Sequence, residues 1–447
     1  METYNYPKFK YPKNIASGIV NNDLSSPTRT QEIENDTLEK PSYLFILGLL
    51  FFLSFGGLTN IYMKITQDYN MPKWSIVMYL IPISISFFWL IKNPLKTIKT
   101  AITGLPLLLF CIFAFLSFKW SNQPDVSMRQ GLLLCLTYMV ATTFAARFNW
   151  RSFGFVLITI MGLQTFISLI LAVIFPQWGV MSDIYPGAWA GIWGFKQTLG
   201  VAMALGIGFT SGYAVAFRSA RIFCIPMILV MLLVVYKSEA TTATLISGMV
   251  IGISIALFIA SLNPATAVIS FWGIVVAGVT LVLSFTVFKD VIFHALGKAP
   301  TLTGRTDIWK AMEGPISEHP TFGWGFQAFW TDKSIASPVE GIQQAMDGFR
   351  PPDAHSTPMD VKVQLGSIGF FLWVWMFIQL WVSGLYNLIN TKYGPIIIGV
   401  IAAWSGICFT EAMSLYPMDY ATFLLHSILA KSSLEMFDKI FKNRQNN

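Results

Sequence analysis

Long apolar runs alternate with short polar connectors along most of the chain. A run of about 20 apolar residues is long enough to cross a hydrocarbon layer of about 30 Å as an α-helix. Lipid offers no hydrogen-bond partner to an open backbone, so we expect each run to be helical. The sequence therefore predicts an all-α polytopic membrane protein with about twelve transmembrane helices, at residues 42–63, 74–92, 100–118, 130–147, 153–176, 197–217, 222–236, 241–261, 267–287, 364–387, 395–411 and 418–434.

These runs divide the chain into five parts. A polar leader at 1–41, which we expect to be disordered and cytoplasmic, precedes nine predicted helices at 42–287. Three more helices lie at 363–434, and a basic cytoplasmic tail follows at 435–447. The one long polar interval, 288–362, separates the two groups of helices, and its many Gly and Pro residues favour short helices joined by turns.

Basic residues are distributed unevenly among the connectors. Clusters at 92–99, 147–151 and 218–221, together with those of the tail, fall on one side when the spans are counted from a cytoplasmic leader. Because positive charge marks the cytoplasmic side, the count predicts that the long polar interval lies on the extracytoplasmic side of the membrane. Lys64 and Lys73 depart from the pattern.

Composition supports membrane insertion and argues against several other classes. Hydrophobic residues make up 54% of the chain and charged residues 12%, which a water-soluble core cannot accommodate. The net charge of +7 lies in clusters beside the spans, so no nucleic-acid partner is predicted. Neither a phosphate-binding GxxxxGK[ST] motif nor His or Cys residues at metal-ligand spacing occur, so we expect no nucleotide, metal or other cofactor.

Two side chains of the long interval suit chemistry on a phosphorylated sugar. Arg305 follows Gly304 at the start of a short helical pattern, and a guanidinium binds phosphate oxygens in a bidentate way. His355 lies in a Pro-flanked turn just before a span, where an imidazole can serve as a general base near neutral pH. Each also has a structural interpretation: Arg305 as a surface charge paired with Asp307, and His355 as a hydrogen-bonded structural residue.

Further cations and aromatic residues are expected on the same side of the membrane. Arg129 and Lys196 either anchor their helices at the interface or add positive charge beside Arg305. Trp309 and Trp324 either stack on sugar rings or anchor the loop in the interface. Several cations converging there would suit a lipid-linked diphosphate.

Three motifs in this interval resemble those of a known family. The runs 304–309, 319–325 and 353–356 are similar in order and spacing to the large outer loop of the O-antigen ligase and polymerase family. Upstream, the segments 120–133 and 195–200 resemble the exopolysaccharide polymerase branch and a further family patch.

Two patches depart from the family pattern. Ser356 stands where the family often has Asn, and Ser238-Glu-Ala-Thr-Thr242 stands where it often has Ser-x-Ser-Arg or Ser-x-Ser-Lys. Any substrate contact near 238–242 is therefore not transferred from the family to this chain.

The resemblance implies a GT-C-like glycosyltransferase without a metal or cofactor. Its donor is an oligosaccharide on undecaprenyl diphosphate, and its acceptor is a second lipid-linked glycan for a polymerase, or the lipid A-core of lipopolysaccharide for a ligase. The resemblance also implies two further partners, membrane lipids and a chain-length regulator protein. We expect a single displacement that inverts the anomeric centre, since no carboxylate pair indicates a covalent intermediate.

The resemblance also suggests roles for particular residues. Arg305, with Arg129 or Lys196, would bind the diphosphate, and His355 would take the proton of the attacking hydroxyl. The substrate-binding residues implied by the matched motifs are Asp307, Trp309, Trp324 and Asp353.

A transporter or lipid flippase is the alternative from another class. Transporters place ionisable groups at mid-membrane and break their helices there. Here most of the spans read as intact and the polar residues are mainly outside the membrane, so we favour an enzyme. Among enzymes, a polymerase comes first, while an O-antigen ligase and a glycan-to-protein transferase stay open.

Overall fold

The structure of the protein is almost wholly helical. An isolated β-bridge joins Val180 to Trp189, and the described residues form no longer strand. The computed structural model describes residues 37–66, 72–263, 304–332, 337–413 and 415–445, with Ser334 and parts of 265–280. Most of the expected leader and the first part of the expected outer interval thus lie outside the described residues.

Helices follow one another with short connectors. In chain order they are α1 Pro41–Phe52, α2 Leu58–Thr66, α3 Ser75–Lys92, α4 Pro94–Thr103, α5 Leu105–Leu116, α6 Pro124–Arg147, α7 Trp150–Ile174, α8 Pro176–Gly179, α9 Lys196–Ala216, α10 Arg221–Ser238, α11 Thr241–Ala260, α12 Arg305–Ala311, α13 Glu313–Glu318, α14 Pro338–Ala345, α15 Thr357–Asn390, α16 Gly394–Cys408 and α17 Tyr420–Gln445.

The prediction of a polytopic helical membrane protein is confirmed. Among the described residues, seven helices are long and apolar enough to cross a membrane, or eight with the bent pair α4 and α5. Three further expected spans coincide with α6 and α17, which are less apolar, and with α16, which has 15 residues. The expected span 267–287 lies largely outside the described residues.

Most spans were expected to be intact, and the structure shows an interruption in three of them. The first span breaks between α1 and α2, where Gly56 has φ +89°. The chain bends by 87° between α4 and α5, and α15 is interrupted at Gly366. Broken helices at membrane depth are tolerated where the freed backbone is buried in protein or lines a cavity.

The helices pack closely through small residues. Gly208 of α9 faces Gly399 of α16 so tightly that a Cβ on Gly208 would lie 2.4 Å from the carbonyl oxygen of Gly399. Without a hydrophobic drive between helices in lipid, such close backbone contact is a main source of helix association.

Connectors that were predicted to share the basic side meet at one end of the bundle. Arg147, the last residue of α6, forms a bidentate ion pair with Glu39 at 2.7 and 2.9 Å. Lys99 of α4 pairs with Asp438 of α17 at the same end. The other end of α6, at Pro124, lies beside the described part of the long polar interval 288–362, which we call the outer loop. The outer loop and the basic connectors therefore occupy opposite ends of the helix bundle.

The outer loop docks on the opened turn of α15. Trp324 donates its backbone N–H to the Val363 carbonyl at 3.0 Å, and Gly325 donates to Gln364 at 2.8 Å. At Gly366 the backbone has φ +63°, and a Cβ there would lie 2.3 Å from the backbone of Thr321. Glycine is therefore needed both for the conformation and for the space.

Candidate active site

Glu411 joins the two side chains that the sequence singled out for chemistry. It lies just after α16, and its Oε1 accepts a hydrogen bond from Arg305 Nη2 at 2.6 Å. Its Oε2 lies 3.1 Å from His355 Nδ1. The side chains of Arg305 and Glu411 are only 15% and 14% exposed, so one largely buried carboxylate brings the guanidinium and the imidazole together.

The turn that carries His355 is held in an unusual backbone conformation. His355 has φ +46°, a left-handed value that favours glycine, and its N–H donates to Asp353 Oδ1 at 2.8 Å. Thr357 ties this turn to the Glu411 segment, since its hydroxyl donates to the Glu411 carbonyl at 3.0 Å. Such strain is kept where the surroundings enforce it, often at functional sites.

Two carboxylates face the same nitrogen of His355. Because Nδ1 lies next to Glu411 and 3.5 Å from Asp353, it is the nitrogen that carries the proton, which leaves Nε2 as the acceptor. Burial by itself lowers the pKa of His355. The hydrogen bond to Glu411 and the negative charges of Asp353 and Glu411 outweigh burial and raise that pKa above its ordinary 6.5.

Among the described residues, Arg305 keeps most of its hydrogen-bonding capacity. It begins α12 directly after Gly304, which has φ +80°. A guanidinium has five N–H donors in a planar fork, and the ion pair with Glu411 uses one of them. The remaining donors suit the oxygens of a phosphate group.

A cavity of about 230 Å³ lies beside this cluster. Asp353, Glu411, Tyr416 and Asp419 contribute to its lining. Tyr416 donates its hydroxyl to Asp353 Oδ2 at 3.1 Å, so the turn before His355 is tied to this wall as well. The carboxylates that hold the imidazole therefore also line the cavity.

The two predicted sugar-stacking residues have hydrogen bonds within the loop. Trp309 donates its indole N–H to the Ala354 carbonyl at 2.8 Å, directly before His355 in the chain. Trp324 donates to Pro315 at 2.8 Å, and its ring packs edge-on against His319 at 4.2 Å. Both side chains hold the loop in shape, and their contact with sugar stays a prediction.

The other predicted residues lie outside the Arg305–Glu411–His355 cluster. Arg129 is exposed on α6, and Asp307 is exposed on α12. Lys196 is buried at the start of α9, with its Nζ 3.8 Å from the ring centre of Tyr185 and 3.4 Å from the Glu239 carbonyl. A second cation beside Arg305 stays a prediction.

Sequence reasoning missed Glu411 and Tyr416. Neither belongs to a recognised motif: Glu411 is the last residue of the expected span 395–411, and Tyr416 lies in the short connector after that span. The only signal for Glu411 was its position, since it is a carboxylate at the end of a span that the span count puts on the same side as the long interval.

Fold and site together define a multi-pass membrane protein with a polar loop and a linked Arg–His pair at one end. Residues 226–374 match the family model described as O-antigen ligase. The chain is also 26% identical, over 352 residues, to the exopolysaccharide production protein ExoQ of Rhizobium meliloti (strain 1021), a match that covers 73% of this chain and 76% of that protein. Both matches support the O-antigen ligase and exopolysaccharide polymerase family that the motifs of the chain predicted.

Proposed function

We propose that this protein is a glycosyltransferase that polymerises exopolysaccharide repeat units at the outer face of the bacterial inner membrane. It transfers an oligosaccharide from undecaprenyl diphosphate to a hydroxyl of a second lipid-linked glycan. The observation that carries this proposal is the Glu411 carboxylate, which holds Arg305 at 2.6 Å and His355 at 3.1 Å. This arrangement supports the proposal, because it joins a guanidinium suited to phosphate oxygens and an imidazole suited to proton transfer.

The proposed reaction is a single displacement without a metal ion. Nε2 of His355 takes the proton of the acceptor hydroxyl while its oxygen attacks the anomeric carbon of the donor. The bond between that carbon and the diphosphate oxygen breaks, and the diphosphate leaves with the electron pair. Arg305 stabilises the charge that builds on the leaving group. Attack opposite the leaving group inverts the anomeric centre.

Glu411 has two tasks in this scheme. Its negative charge stabilises the imidazolium that forms when His355 takes the proton, and its hydrogen bond fixes the orientation of the ring. It also holds the guanidinium of Arg305 in place while the other N–H groups face the diphosphate.

A ligase reaction is the second candidate, favoured by the description of the matching family model. In that case the acceptor is the lipid A-core of lipopolysaccharide, and each glycan is transferred once. The donor half of the reaction, with Arg305 and the diphosphate, is the same for both candidates.

The deciding experiment is a reaction in nanodiscs with purified protein and a lipid-linked repeat unit, with and without lipopolysaccharide core. A polymerase yields a ladder of products on a glycan gel without core, whereas a ligase yields product only when core is present. If neither mixture gives product, the glycosyltransferase proposal is wrong. A flippase is distinguished in cells, because its loss removes surface glycan whereas loss of a polymerase leaves single repeats.

A further inference from the structure

The cavity beside Glu411 is built from parts of the chain that are far apart. Phe55 and Asn60 come from the broken first span, Gln164 from α7, and Trp193 and Gln197 from the start of α9 and the residues before it. The segment 411–421 closes it on the side of the catalytic cluster. A pocket assembled from the ends and breaks of several helices is a usual place for a ligand.

Buried polar groups face this cavity without partners. Gln164 and Tyr420 are each 3% exposed, and both line the cavity. Among the described residues no hydrogen bond is made by Gln164 Oε1, by Gln197 Oε1 or by the Tyr420 hydroxyl. Because a buried polar atom without a partner is costly, these three groups indicate a polar ligand.

The lining also indicates the charge of that ligand. It contains the carboxyl groups of Asp353, Glu411 and Asp419, and no Lys, Arg or His is found among the described residues that line it. Carboxylates and amide oxygens accept hydrogen bonds, so they suit a ligand rich in hydroxyl donors. They repel phosphate and carboxylate groups.

The size and position of the cavity indicate which kind of polar ligand it binds. A volume of about 230 Å³ is below the roughly 300–1,000 Å³ of pockets for drug-sized ligands, which fits a single sugar ring. Trp193 offers an aromatic surface for such a ring. Glu411 and Asp353 lie between the cavity and Nδ1 of His355, so a ring bound here lies one side chain away from the imidazole.

We infer that this cavity binds the terminal sugar of the acceptor glycan as a neutral ring, and that it excludes sugars carrying carboxylate or phosphate at that end. Gln164, Gln197 and Tyr420 are its specificity-determining residues. The assignment of this ring to the acceptor rests on the proposed glycosyltransferase function. The diphosphate of the donor lies on the other side of Glu411, with Arg305.

Binding is measured by saturation-transfer NMR on protein in nanodiscs. The probes are neutral oligosaccharides hydrolysed from the cell's own exopolysaccharide, and the same oligosaccharides after oxidation of their primary alcohols to carboxylates. We expect the neutral probes to bind through one terminal ring and the oxidised probes to bind about tenfold more weakly. Equal binding of both probes, or no binding of the neutral probes, would overturn the inference.

Variants connect the binding to this cavity. Gln164→Leu combined with Tyr420→Phe removes two hydrogen-bonding groups with little change of shape, and we expect about tenfold weaker binding of the neutral probe. Tyr236→Phe is the matched control, since Tyr236 is 71% exposed on α10. Thermal unfolding of each variant shows whether it is folded. Unchanged binding in a folded double variant contradicts the assignment.

A transfer assay separates this inference from the proposed function. In the double variant we expect a higher KM for the acceptor with kcat within about twofold. If the wild type transfers sugar but the acceptor KM does not change in the variant, the inference fails and the function stands. If the wild type binds the neutral probe but transfers nothing, the cavity is a sugar site and the function is wrong.

Discussion

At the scale of single residues, the site depends on one carboxylate that serves two partners. Glu411 lies in contact with Arg305 and His355, yet the three residues come from three different segments of the chain. The left-handed backbone at His355 and the hydrogen bonds of Thr357 fix the direction of the imidazole. A base held in this way loses little freedom when the substrate binds.

Loss of either reacting side chain should abolish product. We expect Arg305→Ala and His355→Ala each to reduce transfer by about 10²–10⁴-fold, as is typical for groups that carry charge or a proton in the transition state. The assay is the nanodisc reaction with a lipid-linked repeat unit. Lys310→Ala, an exposed position on α12, is the control for Arg305 and should behave as wild type. Wild-type product from a folded Arg305 or His355 variant contradicts the role of that residue.

The raised pKa of His355 predicts a dependence on pH. The base must be neutral, so activity should fall as the pH falls through a value above 6.5. Glu411→Gln removes the hydrogen-bonded charge that raises the pKa, and the acid limb of kcat/KM should then move to lower pH. The dependence of kcat/KM on pH is measured for the wild type and for Glu411→Gln. The maximum of kcat/KM should be lower in the variant, because Arg305 also loses its partner. An acid limb at the same pH in both proteins rules out His355 as the titrating base.

At the scale of elements, the break in α15 positions the outer loop. The backbone groups of the opened turn at Gly366 form hydrogen bonds with the segment 320–325. These bonds fix the position of the loop that begins with α12 and ends at His355. Two indole N–H groups also stabilise the loop, since Trp309 donates to the Ala354 carbonyl and Trp330 donates to the Asp360 carboxylate at 2.6 Å. The shape of the site thus depends on a helix that is interrupted at one residue.

Gly366→Ala should undock the loop. A Cβ at this position meets the Thr321 backbone at 2.3 Å and also strains a residue with φ +63°, so we expect a loss of roughly 1–3 kcal/mol in stability. Hydrogen exchange of the 320–326 backbone should become faster, and transfer activity should fall. Gly341→Ala on α14 is the matched control, because nothing lies within 4 Å of its Cβ position. Wild-type exchange in a folded Gly366→Ala protein would show that the close approach is not needed.

At the scale of the whole molecule, the basic connectors and the candidate active site lie at opposite ends of the helix bundle. The basic connectors meet around Arg147 and Lys99, while the cavity and the Arg305–His355 pair lie at the end where α6 begins. Because positive charge marks the cytoplasmic side of a membrane protein, we expect the basic end to face the cytoplasm and the site to face outward, as the proposed function requires.

Orientation can be measured with cysteine labelling. In a variant without the four native cysteines, Ser334→Cys in the exposed outer loop should react with an impermeant maleimide added outside spheroplasts. Lys442→Cys, exposed near the end of α17, should react only after the membrane is permeabilised. The reverse pattern would place the site in the cytoplasm, away from the proposed glycan substrates.

Part of this organisation follows from the sequence. The first break was not predicted because Gly56 lies within a run whose apolar character continues on both sides. The bend at Gly104 was missed for the same reason, since hydropathy reports the location of a span and not its straightness. Arg305 and His355 were predicted correctly as neighbours because each is a rare charged or titratable group within a polar motif.

The sequence by itself determined that the chain is a bundle of membrane helices, because lipid satisfies no backbone group outside a helix or closed barrel. It also indicated the family, through motifs whose residues lie close together in the chain. Only the tertiary structure decided that Glu411 bridges Arg305 and His355, and that Gln164 and Tyr420 share a cavity with them. These residues are distant in sequence, and contacts between distant segments depend on how the helices pack and break, which no local pattern encodes.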